Sequence, residues 1–166
     1  MTMKDYRTIV VGTDGSKLAA PVVSRAAWLA VRDDADLIIV CAFAEMPRRT
    51  EAKNVSSLGG DARSGQVMGR EAAGVALESA AATAKGEGAT VSATRIIDGE
   101  PSRVLITTAR ESSADLIVLG AIHDRSLADR LLGTVASEVS KRAPCDVLIV
   151  RPVEGTGELE VPEDAP

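Results

Sequence analysis

The chain has 166 residues, of which 45% are hydrophobic and 26% are charged, a composition that suits one globular domain rather than a disordered chain. No apolar run approaches the roughly 18 residues that span a bilayer, and no apolar signal segment follows the polar start, so we expect a cytoplasmic protein. The single tryptophan, tyrosine and phenylalanine are too few for the stacking surface that single-stranded nucleic acid needs.

The net charge of -5 is concentrated at the C-terminus. Five of the 24 acidic residues follow Arg151 without any lysine or arginine, which leaves 19 acidic and 19 basic residues in the rest of the chain. Residues 1–152 are therefore predicted to form a formally neutral domain, without the basic excess of a nucleic-acid-binding protein. Residues 153–166 are predicted to form an acidic disordered tail.

Short apolar runs rich in valine and isoleucine alternate with helix-compatible segments. Runs typical of strands buried on both faces are Thr8–Gly12, Leu37–Phe43, Leu116–Gly120 and Val147–Val150. A more polar, alternating run, Val91–Ile97, predicts an edge strand. The predicted helices are Ala19–Val31, Gly69–Lys85, Pro101–Glu111 and Leu127–Arg142. This alternation predicts an α/β fold in which helices cover both sides of a parallel sheet, with any ligand site at the carboxyl ends of the strands.

Turn residues support three boundaries between these elements. The sequence Asp98-Gly99-Glu100-Pro101 ends a strand and begins a helix with proline in its first turn. Gly86 and Gly88 close the second helix, and Pro144 ends the fourth. The segment Met46–Arg70 lacks periodicity and predicts a long loop. A solvated disordered loop is the simpler interpretation, and its basic excess is also compatible with a lid over phosphates.

The stretch from Asp115 to Val150 has features of a phosphate site. Gly120 ends a predicted strand, and Gly133 and Thr134 lie beside a predicted helix. Glycine lets the backbone approach a phosphate, a hydroxyl can donate to it, and a helix N-terminus offers amides and partial positive charge. Each helix-end interaction contributes only about 0.3 to 1 kcal/mol, so several have to act together.

No residue pattern indicates catalysis or metal binding. Cys41 and Cys145 lie in apolar runs and are interpreted as core thiols. Ser16 and Ser137 lack an activating base, and no GxxxxGK[ST] phosphate loop is present. His123, the single histidine, is interpreted as a loop residue because no titratable partner is placed to orient it.

Residues Arg7 to Pro152 resemble the universal stress protein family. Its signature has glycine, two residues, glycine, nine residues, then glycine with serine or threonine. Gly120, the spacer 124–132 and Gly133-Thr134 match that pattern. The opening TIVVGTDGS and the ending RAPCDVLIVRP are similar to the family's first and last strands.

This resemblance implies a three-layer α/β/α fold of the adenine nucleotide alpha hydrolase type, with five parallel strands in the order 3-2-1-4-5. Members are usually homodimers that pair through the last strand, here Asp146 to Arg151. Some members bind ATP, some mycobacterial-type members prefer cyclic AMP, and others bind no nucleotide. The run DRLLGTVASEVSKRA is similar to the cyclic-AMP-binding group.

The resemblance also implies a set of nucleotide-binding residues. Asp14, which follows Gly12 and Thr13 at the end of the first strand, would contact the adenosine, and Ala42 would offer its backbone to the adenine. The phosphates would be lined by Gly120, Gly133, Thr134 and Val135. Taken without the family signature, Asp14 is better explained as a turn residue or a helix cap than as a nucleotide contact.

His123 departs from the signature because it replaces the second glycine. If that position needs positive φ or a small side chain, the imidazole would crowd the phosphates and reject a triphosphate. Alternatively, a protonated histidine would donate to a phosphate and strengthen binding below a pKa near about 6.5.

Two functions of different class follow. The first is a non-enzymatic stress-response or signalling regulator whose strand-end crevice binds ATP or cyclic AMP as a ligand and whose occupancy alters affinity for an unknown protein partner. The second is a nucleotide-free dimer that acts through protein partners because His123 has closed the site. Slow ATP hydrolysis is a third alternative, which would need a water-activating group that the sequence does not identify.

Overall fold

A computed structural model describes residues 5–45, 67–121 and 132–151. Its strands are Thr8–Gly12 (β1), Asp36–Ala44 (β2), Val67–Met68 (β3), Val91–Asp98 (β4), Leu116–Gly120 (β5) and Asp146–Val150 (β6). Its helices are Ala19–Asp33 (α1), Arg70–Gly86 (α2), Pro101–Glu111 (α3) and Thr134–Arg142 (α4). None of the helices in these ranges is long and apolar enough to cross a membrane.

The strands form one sheet in which every observed pairing is parallel. β1 lies between β2 and β5, β4 pairs with the other edge of β2, and β6 pairs with β5. The two-residue β3 pairs with Phe43 and Ala44 at the end of β2. Without β3, the strand order in five-strand numbering is 3-2-1-4-5, which confirms the predicted topology.

Alternate residues of the central strands supply two hydrophobic cores, because successive side chains of a strand point to opposite faces. Ile9, Leu37 and Val118 belong to the core that packs under α1 and α2. Val10, Ile38 and Ile117 belong to the core under α3 and α4. Burying one such side chain contributes about 1.5 to 3 kcal/mol. These continuous apolar runs therefore hold a helical layer on each face, as predicted.

The two outer strands are less buried than the central ones. β4 alternates between half-buried and exposed residues over its first half and, among the described residues, pairs only with β2, which confirms the predicted edge strand. Every residue of β6 from Val147 to Val150 is half-buried. β6 is therefore the other edge of the sheet within the described part of the chain.

The predicted turn residues act as expected at two helix ends. Gly99 has a φ of +145°, and the Glu100 carboxylate then caps α3 by accepting from the amides of Ser102 (3.2 Å) and Arg103 (3.1 Å). At the end of α2, Gly88 has a φ of +89°, and the amide of the next residue, Ala89, donates to the Ala84 carbonyl at 3.1 Å.

Two predicted boundaries are wrong. The fourth helix begins at Thr134 rather than Leu127, because Gly133 is extended (φ -63°, ψ 164°) and its amide donates to the Ala121 carbonyl at 2.7 Å. The last residues of the predicted loop Met46–Arg70 form β3 and begin α2. The rest of that loop, and the predicted tail 153–166, lie outside the described residues, so the predicted lid and domain limit stay predictions.

Candidate functional site

A crevice opens at the carboxyl ends of β1, β2 and β5. Its empty space of about 700 Å³ includes the open solvent at its mouth. The chain runs from β1 to β2 on one side and from β5 to β6 on the other, so the crevice lies where the strand order reverses. In open α/β sheets this point is the usual place for a ligand.

Residues from three strands, the following loops and three helices line the crevice. They are Gly12, Thr13, Asp14, Ser16, Leu18, Ala19, Val22, Val40, Ala42, Pro101, Val104, Leu105, Leu119, Gly120, Ala121, Gly133, Val135 and Ala136. Most are apolar or glycine, and within the described ranges Asp14 is the charged member of this set. The crevice therefore offers apolar walls and few polar groups, as is typical of sites that orient a ligand by a small number of hydrogen bonds.

A tight turn after β1 places Asp14 in the lining of the crevice. The Thr13 amide donates to the Val40 carbonyl (3.0 Å), and the Thr13 hydroxyl accepts from the Gly15 amide (3.2 Å). One carboxylate oxygen of Asp14 accepts from the Ser16 amide at 2.8 Å. Asp14 therefore initiates a turn, as the simpler interpretation expected, and it also lines the crevice.

Gly15 explains why this turn can form. Its φ is +74°, a left-handed backbone conformation that residues with a side chain rarely adopt. A Cβ at this position would lie 2.9 Å from the Cβ of Ala76 in α2. Glycine meets both constraints because it lacks a Cβ. The close approach of the turn to α2 thus depends on this residue.

The opposite side of the crevice is built from β5 and the start of α4. The Ala121 amide donates to the Val150 carbonyl (2.9 Å), and the Gly133 amide donates to the Ala121 carbonyl (2.7 Å). Gly133 is the N-cap of α4 and places no side chain over the first turn. Because the first amides of a helix lack intrahelical acceptors and carry partial positive charge, this end of the crevice suits an anion.

The structure brings most of the predicted site residues together. Those that line the crevice are Gly12, Thr13, Asp14, Ala42, Gly120, Gly133 and Val135. Thr134 is exposed, although both its neighbours line the crevice, and His123 lies outside the described residues. The role of each residue in ligand binding stays a prediction.

Sequence reasoning missed the walls formed by the first turns of α1 and α3. Leu18, Ala19 and Val22 form one wall, and Pro101, Val104 and Leu105 form another. A general rule would have found them: helices that follow parallel strands begin beside the carboxyl ends of those strands. Ser16 was set aside because it has no activating base, yet it also lines the crevice.

The two thiols are poorly suited to nucleophilic chemistry. Cys41 is completely buried, which confirms it as a core residue, and burial together with the Asp14 carboxylate raises its pKa to about 12. Cys145 is half-buried beside the second core, and burial also raises its pKa. Both are therefore protonated near neutral pH, whereas nucleophilic attack needs the thiolate. Among the described residues, no group of three or more acidic, histidine or cysteine side chains could hold a metal ion.

Comparisons with known proteins agree on one family. The sequence model of the universal stress protein family matches residues 5–151. A universal stress protein of Mycobacterium tuberculosis is 40% identical over 148 residues, which cover 89% of this chain and 98% of the relative.

Two solved structures share the fold. A universal stress protein in complex with cAMP is 36% identical, with a TM-score of 0.68, and the match covers 90% of this chain and 100% of that one. The universal stress protein of Archaeoglobus fulgidus in complex with dAMP is 23% identical, with a TM-score of 0.63 and coverage of 89% and 100%. The second likeness supports the fold alone.

Proposed function

Because the chain belongs to the universal stress protein family, we propose that its crevice binds an adenine nucleotide as a regulatory ligand. The observation that carries this proposal is that residues far apart in sequence, Asp14, Ala42, Gly120 and Gly133, meet in one crevice at the switch point of the sheet. The cAMP complex of a 36% identical universal stress protein supports the same ligand class.

The walls of the crevice suit the order of parts in a nucleotide. Val40 and Ala42 of β2 line the crevice together with Val22 of α1 and Val104 of α3, and these side chains offer apolar surface to a base. On the β5 side, Gly120 and the uncapped start of α4 suit a phosphate. A base over β2 and a phosphate at α4 would place the ribose over β1, beside Asp14.

Charge favours cyclic AMP over ATP. Within the described part of the lining the charged side chain is the carboxylate of Asp14, and like charges repel. The phosphate would be held by backbone amides and the partial charge of a helix end, which contributes about 0.3 to 1 kcal/mol per interaction. That suits the single negative charge of a cyclic phosphodiester better than the several charges of a triphosphate.

We propose regulation without catalysis. Cys41 is buried and protonated, and no described side chain accepts a hydrogen bond from the Ser16 hydroxyl, as an activating base would. A stress-response or signalling role would follow if occupancy alters the binding of a protein partner, as in other two-state ligand switches.

A homodimer through β6 is part of this proposal. β6 forms an edge of the described sheet, and its residues Val147 to Val150 remain half-buried within one subunit. An exposed strand edge with apolar side chains is a template for pairing with another chain. Analytical ultracentrifugation at micromolar concentration should give twice the mass of one chain, and a monomeric mass would contradict pairing through this strand.

The test of ligand binding is calorimetric titration with cyclic AMP and with ATP, preceded by native mass spectrometry of the freshly purified protein. We expect a saturable site with a lower Kd for cyclic AMP. Tighter binding of ATP would contradict the charge argument but keep the site. Absence of both interactions at millimolar concentration would overturn the proposal and favour the nucleotide-free alternative.

A further inference from the structure

Two buried side-chain oxygens lack a hydrogen-bond partner within the described ranges, Ser16 Oγ and Thr108 Oγ1. Thr108 is completely buried in α3 and is not part of the crevice lining, whereas Ser16 is half-buried and lines the crevice. A buried hydroxyl without a partner is unfavourable, because it has lost the hydrogen bonds of water without replacement. Ser16 therefore carries a hydroxyl at the wall of the crevice that makes no hydrogen bond with any described residue.

The main chain of Ser16, in contrast, is fully engaged. Its amide donates to Asp14 Oδ1 at 2.8 Å, and its carbonyl accepts from the Ala19 amide at 3.1 Å. The N-cap of α1 is Leu18, with no side-chain hydrogen bond to the helix. The turn and the helix thus hold the backbone of Ser16 without its hydroxyl, so the hydroxyl has no structural duty among these contacts.

The position of Ser16 indicates which part of a bound nucleotide would lie beside it. β1 lies between β2 and β5, so the turn that follows it lies between the apolar base wall and the helix end that suits a phosphate. The group between base and phosphate in a nucleotide is the ribose. The 2′-hydroxyl is the ribose hydroxyl that is free in both ATP and cyclic AMP.

We infer that Ser16 Oγ forms a hydrogen bond with the ribose 2′-hydroxyl of the bound nucleotide and so makes the site selective for ribonucleotides. This inference rests on the proposed function of the crevice. A serine hydroxyl can donate and accept. Ser16 Oγ is buried in this structure, so the proposed contact requires χ1 to rotate to another of its three staggered positions. That rotation breaks none of the hydrogen bonds described above, because Ser16 Oγ takes part in none of them.

The experiment compares two ligands and three proteins by calorimetry. The ligands are whichever of cyclic AMP and ATP the wild type binds, and its 2′-deoxy form. The proteins are the wild type, Ser16→Ala, and Thr108→Val as a matched control that removes the other unpartnered hydroxyl away from the crevice. We expect the wild type to bind the 2′-deoxy ligand about tenfold more weakly, which corresponds to about 1.4 kcal/mol.

The variants separate a ligand contact from a structural role. Ser16→Ala should bind the ribonucleotide about tenfold more weakly and should distinguish the two ligands by less than about twofold, since one hydrogen bond is removed in both comparisons. Thr108→Val should keep the wild-type affinities. The melting temperature of ligand-free Ser16→Ala should not fall, because the alanine removes an unpaired polar group.

Each other outcome overturns the inference. If Ser16→Ala loses affinity for both ligands equally, Ser16 contacts a different part of the nucleotide. A lower melting temperature with unchanged affinities would assign the hydroxyl a structural role. If the wild type binds neither cyclic AMP nor ATP, the proposed function fails and this inference fails with it, whereas binding without 2′-selectivity overturns this inference alone.

Discussion

Replacing Gly15 by alanine should destabilise the protein by a calculable amount. The substitution forces a side chain into a φ of +74° and places its Cβ 2.9 Å from the Cβ of Ala76. A left-handed conformation costs roughly 1 to 2 kcal/mol for a residue with a Cβ, and overpacking costs roughly 1 to 3 kcal/mol. We therefore expect the free energy of unfolding to fall by about 2 to 5 kcal/mol.

Urea denaturation and thermal unfolding measure this loss. In a chain of this size, each kcal/mol corresponds to roughly 2 to 4 °C in melting temperature, so a central loss of about 3 kcal/mol predicts a decrease of about 6 to 12 °C. Gly86→Ala is the matched control, because nothing lies within 4 Å of a Cβ at the end of α2. We expect that variant to match the wild type or to be up to about 1 kcal/mol more stable.

Adding Ala76→Gly separates the clash from the backbone strain. The second substitution removes the atom that the new Cβ would meet, so the double variant should recover roughly 1 to 3 kcal/mol relative to additivity, while the cost of positive φ remains. If Gly15→Ala unfolds at the wild-type urea concentration, the turn after β1 does not have this geometry. Strictly additive effects of the two substitutions would instead show that the turn does not pack against α2.

Four further predictions concern the helix cap, the ligand site and the tail. Glu100 is partly buried, which pushes its pKa up, but hydrogen bonds from Ser102 and Arg103 outweigh burial and its pKa is lowered. The Glu100 carboxylate therefore contributes its full stabilisation above the unfolded pKa of about 4.3 and loses it as pH falls through the lower folded value. Glu100→Ala should lower the free energy of unfolding, measured by urea denaturation, by about 0.5 to 2 kcal/mol at pH 7 and by less at acidic pH. His123→Gly should raise ATP affinity in calorimetry if the imidazole crowds the phosphates; if instead protonated His123 donates to them, wild-type affinity should rise below about pH 6.5 and the variant should lose that rise. Cyclic AMP affinity should change by less than about threefold between low and high salt, because amides in a crevice are screened less than exposed lysines and arginines; a steep loss would implicate basic side chains. Deletion of residues 153–166 should leave melting temperature and affinity nearly unchanged, and a marked loss of thermal stability would show that the tail packs on the domain.

The sequence predicts the sheet well because its central strands are buried on both faces. The predicted limits of β1 and β5 match the structure, since an unbroken apolar run ends where burial ends. β3 escaped prediction because two residues, Val67 and Met68, are too short to show a period. The start of α4 was misplaced because the polar and apolar pattern before Gly133 continues that of the helix, whereas the hydrogen bond to Ala121 keeps Gly133 extended.

The site was predictable where it depends on local backbone chemistry. Gly120 ends a strand and Gly133 caps a helix, and the residue pattern indicates both positions, whereas Asp14 and Ala42 were assigned to the site by the family resemblance. The walls contributed by Val22 and Val104 could not be predicted, because their place depends on how α1 and α3 pack against the sheet. The sequence also could not predict that the Ser16 hydroxyl lacks a partner among the described residues, because this depends on how the surrounding elements pack.

The net charge of the chain and the charged groups that line the crevice bear differently on the choice of ligand. The formal charge of -5 predicts nothing about the crevice, because all of the excess follows Arg151 and the remaining chain is neutral. Within the described lining the ionisable side chain is that of Asp14, so among the described residues the groups that can attract an anion are the amides of α4 and the backbone that glycine leaves accessible. Backbone amides carry no formal charge, so they bind a phosphate through the direction of their hydrogen bonds rather than through net charge. A crevice of this kind favours a compact, weakly charged nucleotide whose base supplies apolar contact, and on that ground the proposed ligand is cyclic AMP.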